Sequence, residues 1–424
     1  MKARVGRYLI VGWMILSMTA LQAQAATSDK FFFSQWGLQR VGAEPAWAAS
    51  RGANVIIADI DSGVDLGHPD LQGKLLPGHD FVNNPGNATC PQGNAQDDNG
   101  HGTLVAGIAA ARTDNGIGIA AIAPDAMILP LKAFDANSNG KASDVTKAID
   151  CARTEAANRH MPLVLNLSFV QSNGGNIFND TGVDNAIKTA IAAGAAAIVA
   201  AGNDNKPQTQ YDNKPVGVLV VGASDKQDAR WSGSNYGPNL DLLAPGESIV
   251  STWWDPNKQE STYGNATGTS MSVPFVAATA AMLMSRGFSN LETIQKITSH
   301  AKDLGAPGRD DQTGYGLLDT AAALGVARPS PPPSPQPKPS PSPVPSPSPS
   351  PSPSRSPLVF PPPNEPPPVA QIAASPSPGS PAAALGAIRR SVRLTPLSSA
   401  ALAMVALIIA GHIGRFFAFR SNVR

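Results

Sequence analysis

The run NVIIADIDSG, residues 54–63, is followed after a polar stretch by HGTLVAGIAAA, residues 101–111. The first is short and β-branched. The second is longer, alanine-rich and opens after a glycine, so a buried strand precedes a helix. The alternation repeats along the chain. MILPLKAF (127–134) precedes SDVTKAIDCARTEAA (143–157), LVLNLSF (163–169) precedes TGVDNAIKTAIAAG (181–194), and AAAIVAAGN (195–203) and GVLVVGA (217–223) follow. Apolar strands separated by helices predict an α/β fold in three layers, a mostly parallel central sheet with helices on both faces. In such sheets functional groups gather at the carboxyl ends of the strands, and Asp61, Ser168 and Asn203 each follow a strand-like run directly.

Both ends of the chain have a different character. Residues 1–25 combine Lys2, Arg4 and Arg7, the apolar run LIVGWMILSMTAL and Ala23-Gln24-Ala25, the ordered parts of a secretory signal peptide. Residues 26–327 form the globular unit. Of the 29 residues from Pro329 to Pro357, 25 are Pro or Ser, so residues 328–396 read as an extended linker ending in a basic juxtamembrane segment. LSSAALAMVALIIAGHIG, residues 397–414, holds 18 residues without Asp, Glu, Lys or Arg, which suffices for a transmembrane helix. Residues 415–424 remain as a short cytoplasmic tail. Arginines flank the apolar segment on both sides, so the signal peptide decides orientation. The expectation is a monomeric, single-pass type I protein of the cell membrane, its globular unit outside the cytoplasm and its lipid contact made by the C-terminal helix. A tail removed as a sorting signal is the alternative. The 32 basic and 31 acidic residues nearly cancel, which gives no electrostatic case for nucleic acid.

The stretch GNATGTSMSVPFVAA, residues 264–278, raises the chemical question. Small residues permit a tight backbone, and Pro274 is compatible with the start of a helix. Ser270 therefore stands where a loop becomes a buried helix, beside unpaired N–H groups that favour negative charge. A serine there is either a helix cap or a nucleophile. A hydroxyl needs a base to take its proton, and an imidazole base needs an orienting carboxylate. His101 and Asp61 supply those residue types.

Taken together, in the order Asp61, His101, Ser270, the segments DSGVDLGHPDL, NGHGTLVAG and GTSMSVPFVA resemble the subtilisin-like serine proteases, the subtilases. The likeness spans about Asp29 to Val326. It implies a subtilisin-like fold, peptide-bond hydrolysis through an acyl-enzyme, polypeptide substrates, and catalytic roles for Asp61, His101 and Ser270. AAGN at 200–203 resembles the family's oxyanion segment and implies a donor role for the Asn203 amide beside the Ser270 N–H. The family binds peptides by strand addition, implying one edge at Ser138, Asn139 and Gly140 and another at Ser168, Phe169 and Val170. Phe169 and Val170 stand where leucine and glycine are usual, and are expected to narrow the adjoining subsites. Asp204 is a further candidate at the rim of the first specificity pocket.

The resemblance also implies a structural calcium ion. TDNGIGIAAIAP matches the family's calcium loop, giving Asn115 and the carbonyls of Thr113, Ile117 and Ile119, with Asp70 adding a carboxylate. Asp29 resembles the first ligand of the thermitase-type site. Ligands of oxygen alone suit Ca²⁺. No cofactor is expected for the chemistry itself. A disulfide between Cys90 and Cys151 is permitted in an exported domain, though nothing in the sequence fixes their distance. A long propeptide is not evident between the signal segment and the globular unit. In that, in the Pro-rich segment and in the apolar C-terminus, the layout resembles the mycosins of actinobacterial secretion systems. The competing reading is a catalytically inactive subtilase fold displayed on a Pro-rich stalk as a binding module.

Overall fold

The structure is a computed structural model. It describes residues 27–328, apart from 85, 87, 172–176, 208–210 and 212–213, together with residues 371–372. The signal segment, most of the linker and the apolar segment 397–414 lie outside the described residues. Among those described, no helix is long and apolar enough to cross a membrane. Residues 1–374 group as one unit and 375–424 as a second, none of which is described.

Seven strands form the central sheet: β1 (Ile56–Asp61), β2 (His79–Asp80), β3 (Met127–Lys132), β4 (Leu163–Leu167), β6 (Ala196–Ala200), β7 (Val218–Ser224) and β8 (Leu242–Pro245). Their order is β2-β3-β1-β4-β6-β7-β8, with every neighbouring pair parallel. The chain passes from β1 to β3 on one side and then to β4 on the other. Asp61, the last residue of β1, therefore stands at the point where the strand order reverses, a natural crevice in an open α/β sheet.

Period-two alternation sends each strand's side chains to two separate cores. Ile57, Val164, Ile198 and Val221 pack beneath helices α3 (His101–Ala110) and α6 (Thr269–Met284). Ile56, Leu165, Val199 and Val220 face the other way, toward α4 (Ala142–Arg159) and α5 (Thr181–Ala192). Short α1 (Trp36–Val41), α2 (Ala43–Ala46) and α8 (Thr320–Ala323), with α7 (Asn290–Ser299), complete the helices. The sixteen residues of α6 are all buried, as expected of a helix apolar all round. Ser289 starts α7 with a reciprocal capping box to Glu292. Outside the main sheet, β9 (Ile249–Asp255) and β10 (Glu260–Ala266) make an antiparallel hairpin leading into α6. The two-residue strand β5 (Val170–Gln171) pairs in parallel with β11 (Gln371–Ile372), placing Gln371 opposite Val170.

Cys90 and Cys151 are joined, their Cα atoms 5.1 Å apart. The bond ties the insertion before His101 to the buried face of α4. It closes a loop across a sequence separation of 61, which corresponds to up to about 4 kcal/mol of lost unfolded-chain entropy. Mass spectrometry of the unreduced protein is expected to find no alkylatable thiol, and Cys151→Ala to lower the melting temperature. Two free thiols in the folded, unreduced protein would contradict the pairing.

Candidate active site

Asp61 is fully buried at the end of β1, where its Oδ1 accepts the Ser62 N–H at 2.7 Å. His101 opens α3, and its Nδ1 lies 2.8 Å from Asp61 Oδ1 and 2.9 Å from Oδ2. That contact fixes the ring, with Nδ1–H donating to the carboxylate. Nε2 is buried without a hydrogen-bond partner among the described residues. Burial alone lowers the imidazole pKa, but the charge and hydrogen bond of Asp61, with the charge of Asp97, outweigh it and hold His101 above its ordinary 6.5.

Asp97 was not legible as a site residue in the sequence. It accepts from Ser62 Oγ and from the N–H groups of Asn99, Gly100 and Thr103, so a buried carboxylate caps the histidine helix. The signal available was an acid four residues before the helix start. Lys132, the largest buried charge, was missed as well. Its ammonium reaches the Ser62 and Phe134 carbonyls and Asp98, bracing both sides of the Asp61 turn. Asn99 Nδ2 donates to Ser138 Oγ at 3.0 Å, linking the histidine loop to the first expected substrate edge.

The serine side is built by Thr269, which also escaped sequence reading. Its hydroxyl accepts the Gly202 N–H at 3.2 Å and donates to Asn203 Oδ1 at 2.9 Å, while its N–H donates to the same oxygen at 2.8 Å. The amide is thereby oriented, and Asn203 Nδ2 is left buried with no partner among the described residues. A methyl group built on Gly268 would lie 3.3 Å from Ser270 Oγ and 3.5 Å from Asn203 Nδ2, so hydroxyl and amide border the same space. Ser270 lies in the first turn of α6, where N–H groups lack intrahelical acceptors. Ser272 is structural, donating to the Ala244 carbonyl at 2.9 Å.

Of the expected substrate edges, Ser138 is buried with φ 61°, and Phe134 bridges Gly140 across the turn that holds Asn139. Ser168 Oγ accepts from Asn166 Nδ2. The expectation that the Phe169 side chain narrows a subsite is corrected. Phe169 is 0% exposed, its ring centroid 5.0 Å from Phe134 and 6.1 Å from Phe178, so apolar burial takes it into the core. The backbone beyond it, at Val170–Gln171, takes an added parallel strand from the same chain. Asp204 is half exposed, 3.9 Å from Lys206.

The residues expected around calcium converge. Asn115 Nδ2 lies 2.7 Å from Asp70 Oδ1, and the Ile119 N–H lies 2.8 Å from Oδ2. Asp29 holds the loop through the N–H groups of Asp114 and Asn115. Asp29 and Asp70 are both buried, and neither has a Lys or Arg partner among the described residues. The carbonyls of Thr113, Ile117 and Ile119 accept no hydrogen bond from described residues. Burial pushes the Asp70 carboxyl up, against hydrogen bonds from Asn115, Ile119 and Tyr263. A donor set of oxygens with two uncompensated carboxylates fits a divalent cation.

A buried carboxylate–imidazole pair, a hydroxyl at a helix start and an oriented amide, at the carboxyl ends of a parallel sheet, define a serine hydrolase site. The subtilase family profile matches residues 52–316, and the chain belongs to that family of serine proteases. It is 39% identical over 275 residues to a thermophilic serine proteinase of Bacillus sp., an alignment covering 65% of this chain and 63% of that relative, just under two thirds of its length. It is 36% identical over 282 residues to thermitase of Thermoactinomyces vulgaris, covering 66% of this chain and 93% of that protein. Among solved structures, a protease of Pseudoalteromonas arctica superposes with a TM-score of 0.61 at 28% identity, covering 71% of this chain and 99% of the other. A cold-adapted subtilisin-like serine proteinase gives 0.55, also at 28% identity, covering 67% and 97%.

The raised His101 pKa carries a sign. If His101 is a general base it acts in its neutral form, so kcat/KM is then expected to rise with pH through a midpoint above 6.5, the ordinary histidine value. The stability linked to this shift runs oppositely, being full below the unfolded value and lost as pH rises through the folded one. Asp61→Asn is expected to move the acid limb down and cut kcat about 10⁴-fold. A limb at or below 6.5 in the wild type would contradict the assignment of His101.

Proposed function

We propose that the chain is a membrane-anchored, extracytoplasmic serine endopeptidase in which Asp61, His101 and Ser270 form the catalytic triad. The observation that carries this reading is that His101 Nε2 and Asn203 Nδ2 are both buried, oriented by other contacts and left without hydrogen-bond partners among the described residues. An unpaired buried polar group is unfavourable unless function uses it. His101 Nε2 takes the Ser270 Oγ proton as Oγ attacks the substrate carbonyl carbon. Asp61 holds Nδ1–H and stabilises the imidazolium that forms. Negative charge then develops on the carbonyl oxygen, where Asn203 Nδ2–H and the Ser270 N–H donate. Collapse of the adduct breaks the peptide bond, and the leaving amine takes the proton from Nε2. Water repeats the sequence on the acyl-enzyme.

Polypeptide substrates bind as an added strand between the Ser138–Gly140 and Ser168–Val170 segments. The pairing of β11 with β5 supports this, since backbone groups at Val170–Gln171 bond to an added strand. Calcium held by Asp29, Asp70, Asn115 and the carbonyls of Thr113, Ile117 and Ile119 would neutralise buried carboxylates and brace their loop. The signal-like residues 1–25 and the apolar residues 397–414 support export and anchoring.

A fluorophosphonate probe is expected to label wild type but not Ser270→Ala, with the label sedimenting in the membrane fraction. Label on full-length protein in the soluble fraction would overturn the anchor. Asn203→Ala is expected to lower kcat roughly 10²–10³-fold with KM little changed, a magnitude borrowed from subtilisin in the same family. Full kcat in a folded variant would remove Asn203 from the site. Chelation is expected to lower the melting temperature and speed autolysis, because a ligand bound only to the folded state stabilises it. Asp70→Ala should abolish that response, and an unchanged melting curve in excess chelator would reject the calcium site.

A further inference from the structure

Asp59 stands two residues before Asp61 on β1, on the same face of the strand, and is 1% exposed. The mechanism makes no use of it. Across the ladder it lies directly opposite Asn166 of β4. Asn166 Nδ2 donates to Asp59 Oδ1 at 3.1 Å and to Ser168 Oγ at 3.0 Å, which spends both of its N–H groups. Two buried atoms of the pair are then left over, Asp59 Oδ2 and Asn166 Oδ1. If the carboxyl is ionised, both are acceptors and neither has a donor. A proton on Oδ2 would supply a donor for Asn166 Oδ1, and the two side chains would then form an acid–amide ring in which each partner donates once and accepts once within the pair.

We propose that Asp59 is held as the neutral acid, donating from Oδ2 to Asn166 Oδ1, and that this pair is the positioning device for Ser168 at the head of the substrate edge. The electrostatic surroundings agree. Burial first, then the charges of Asp61 and Asp97, push the Asp59 carboxyl well above the usual range, against the hydrogen bond from Asn166. From its own strand Asp61 acts on it, and from the loop before α3 Asp97; α3 itself carries one titratable residue, His101, which is paired with Asp61. β4 and α6, packed on the same side, contain no titratable residue. The nearest buried cation in the sheet, Lys132, is committed to Ser62, Phe134 and Asp98. A second carboxylate ionised beside Asp61 would also disturb the charge that orients His101. The neutral acid avoids this while keeping a polar grip on Asn166.

Infrared difference spectroscopy tests the protonation on the full chain, inactivated with a serine-directed sulfonyl fluoride to prevent autolysis. The expected result is a carboxylic-acid C=O band at pH 8 that disappears in Asp59→Asn. Absence of the band from wild type, or its persistence in Asp59→Asn, overturns the proposal. The kinetic arm rests on the peptidase reading, whereas the infrared arm does not, so the two can fail separately. Asp59→Asn can rebuild the ring with two amides and is expected to keep kcat/KM within about twofold. Asp59→Leu releases Asn166 and is expected to raise KM about tenfold while kcat changes little. Asp59→Asn losing as much activity as Asp59→Leu, at an unchanged melting temperature, would mean that a charge is required and would overturn the neutral acid.

Discussion

A carboxylate with no access to water needs donors, and Asp61 finds them in the Ser62 N–H and the His101 ring. Much of the structure is arranged around that requirement. β1 must be central so that its end is covered, and α3 must begin beside it so that the ring can reach. The loop between them must be braced, which Asp97 and Lys132 do from opposite sides. The helix start is electropositive, and Asp97 meets it with a negative charge that also raises the histidine pKa. One buried charge thus orients the first residue of α3 and raises the proton affinity of its imidazole.

The serine half depends on packing. Sixteen buried residues leave α6 little room to slide or rotate, because the sheet lies on one side and α3 and α7 on others. The position of Ser270 is therefore set by the whole apolar layer, and only its immediate partners are polar. Thr269 joins the two kinds of control. It belongs to the packed helix, yet its hydroxyl and N–H dictate how the Asn203 amide lies. Loss of apolar packing beneath α6 and loss of the Thr269 hydroxyl would damage the same geometry by different routes.

The strands β1, β3, β4, β6 and β7 were legible because buried parallel strands are short apolar runs, and helices separate all of them but β6 and β7. The placement of Asp61, Ser168 and Asn203 at strand ends followed from the same pattern. β8 was harder, since LLAP is four residues long and ends in proline. The β9–β10 hairpin carries tryptophans, threonines and charges without clean alternation, because one of its faces is only half covered. Within the site, residue type and order identified Asp61, His101, Ser270 and Asn203 through resemblance. Asp97, Lys132 and Thr269 act through partners remote in sequence or through backbone groups, which no local pattern announces. Phe169 was misread for a related reason: sequence places a residue on an edge strand but does not say which way its ring turns.

The bond between Cys90 and Cys151 gives the site a dependence on surroundings as well as on shape. Cys90 sits in the segment whose far end, Asp97 to Gly100, caps the histidine helix. In a reducing compartment the covalent tie to α4 is lost, and the segment keeps hydrogen bonds such as those from His79 to the Pro91 carbonyl and from Lys147 of α4 to the Gly86 carbonyl. In an oxidising one the disulfide adds a covalent anchor to them. Compartment chemistry therefore acts on the rigidity of the histidine loop.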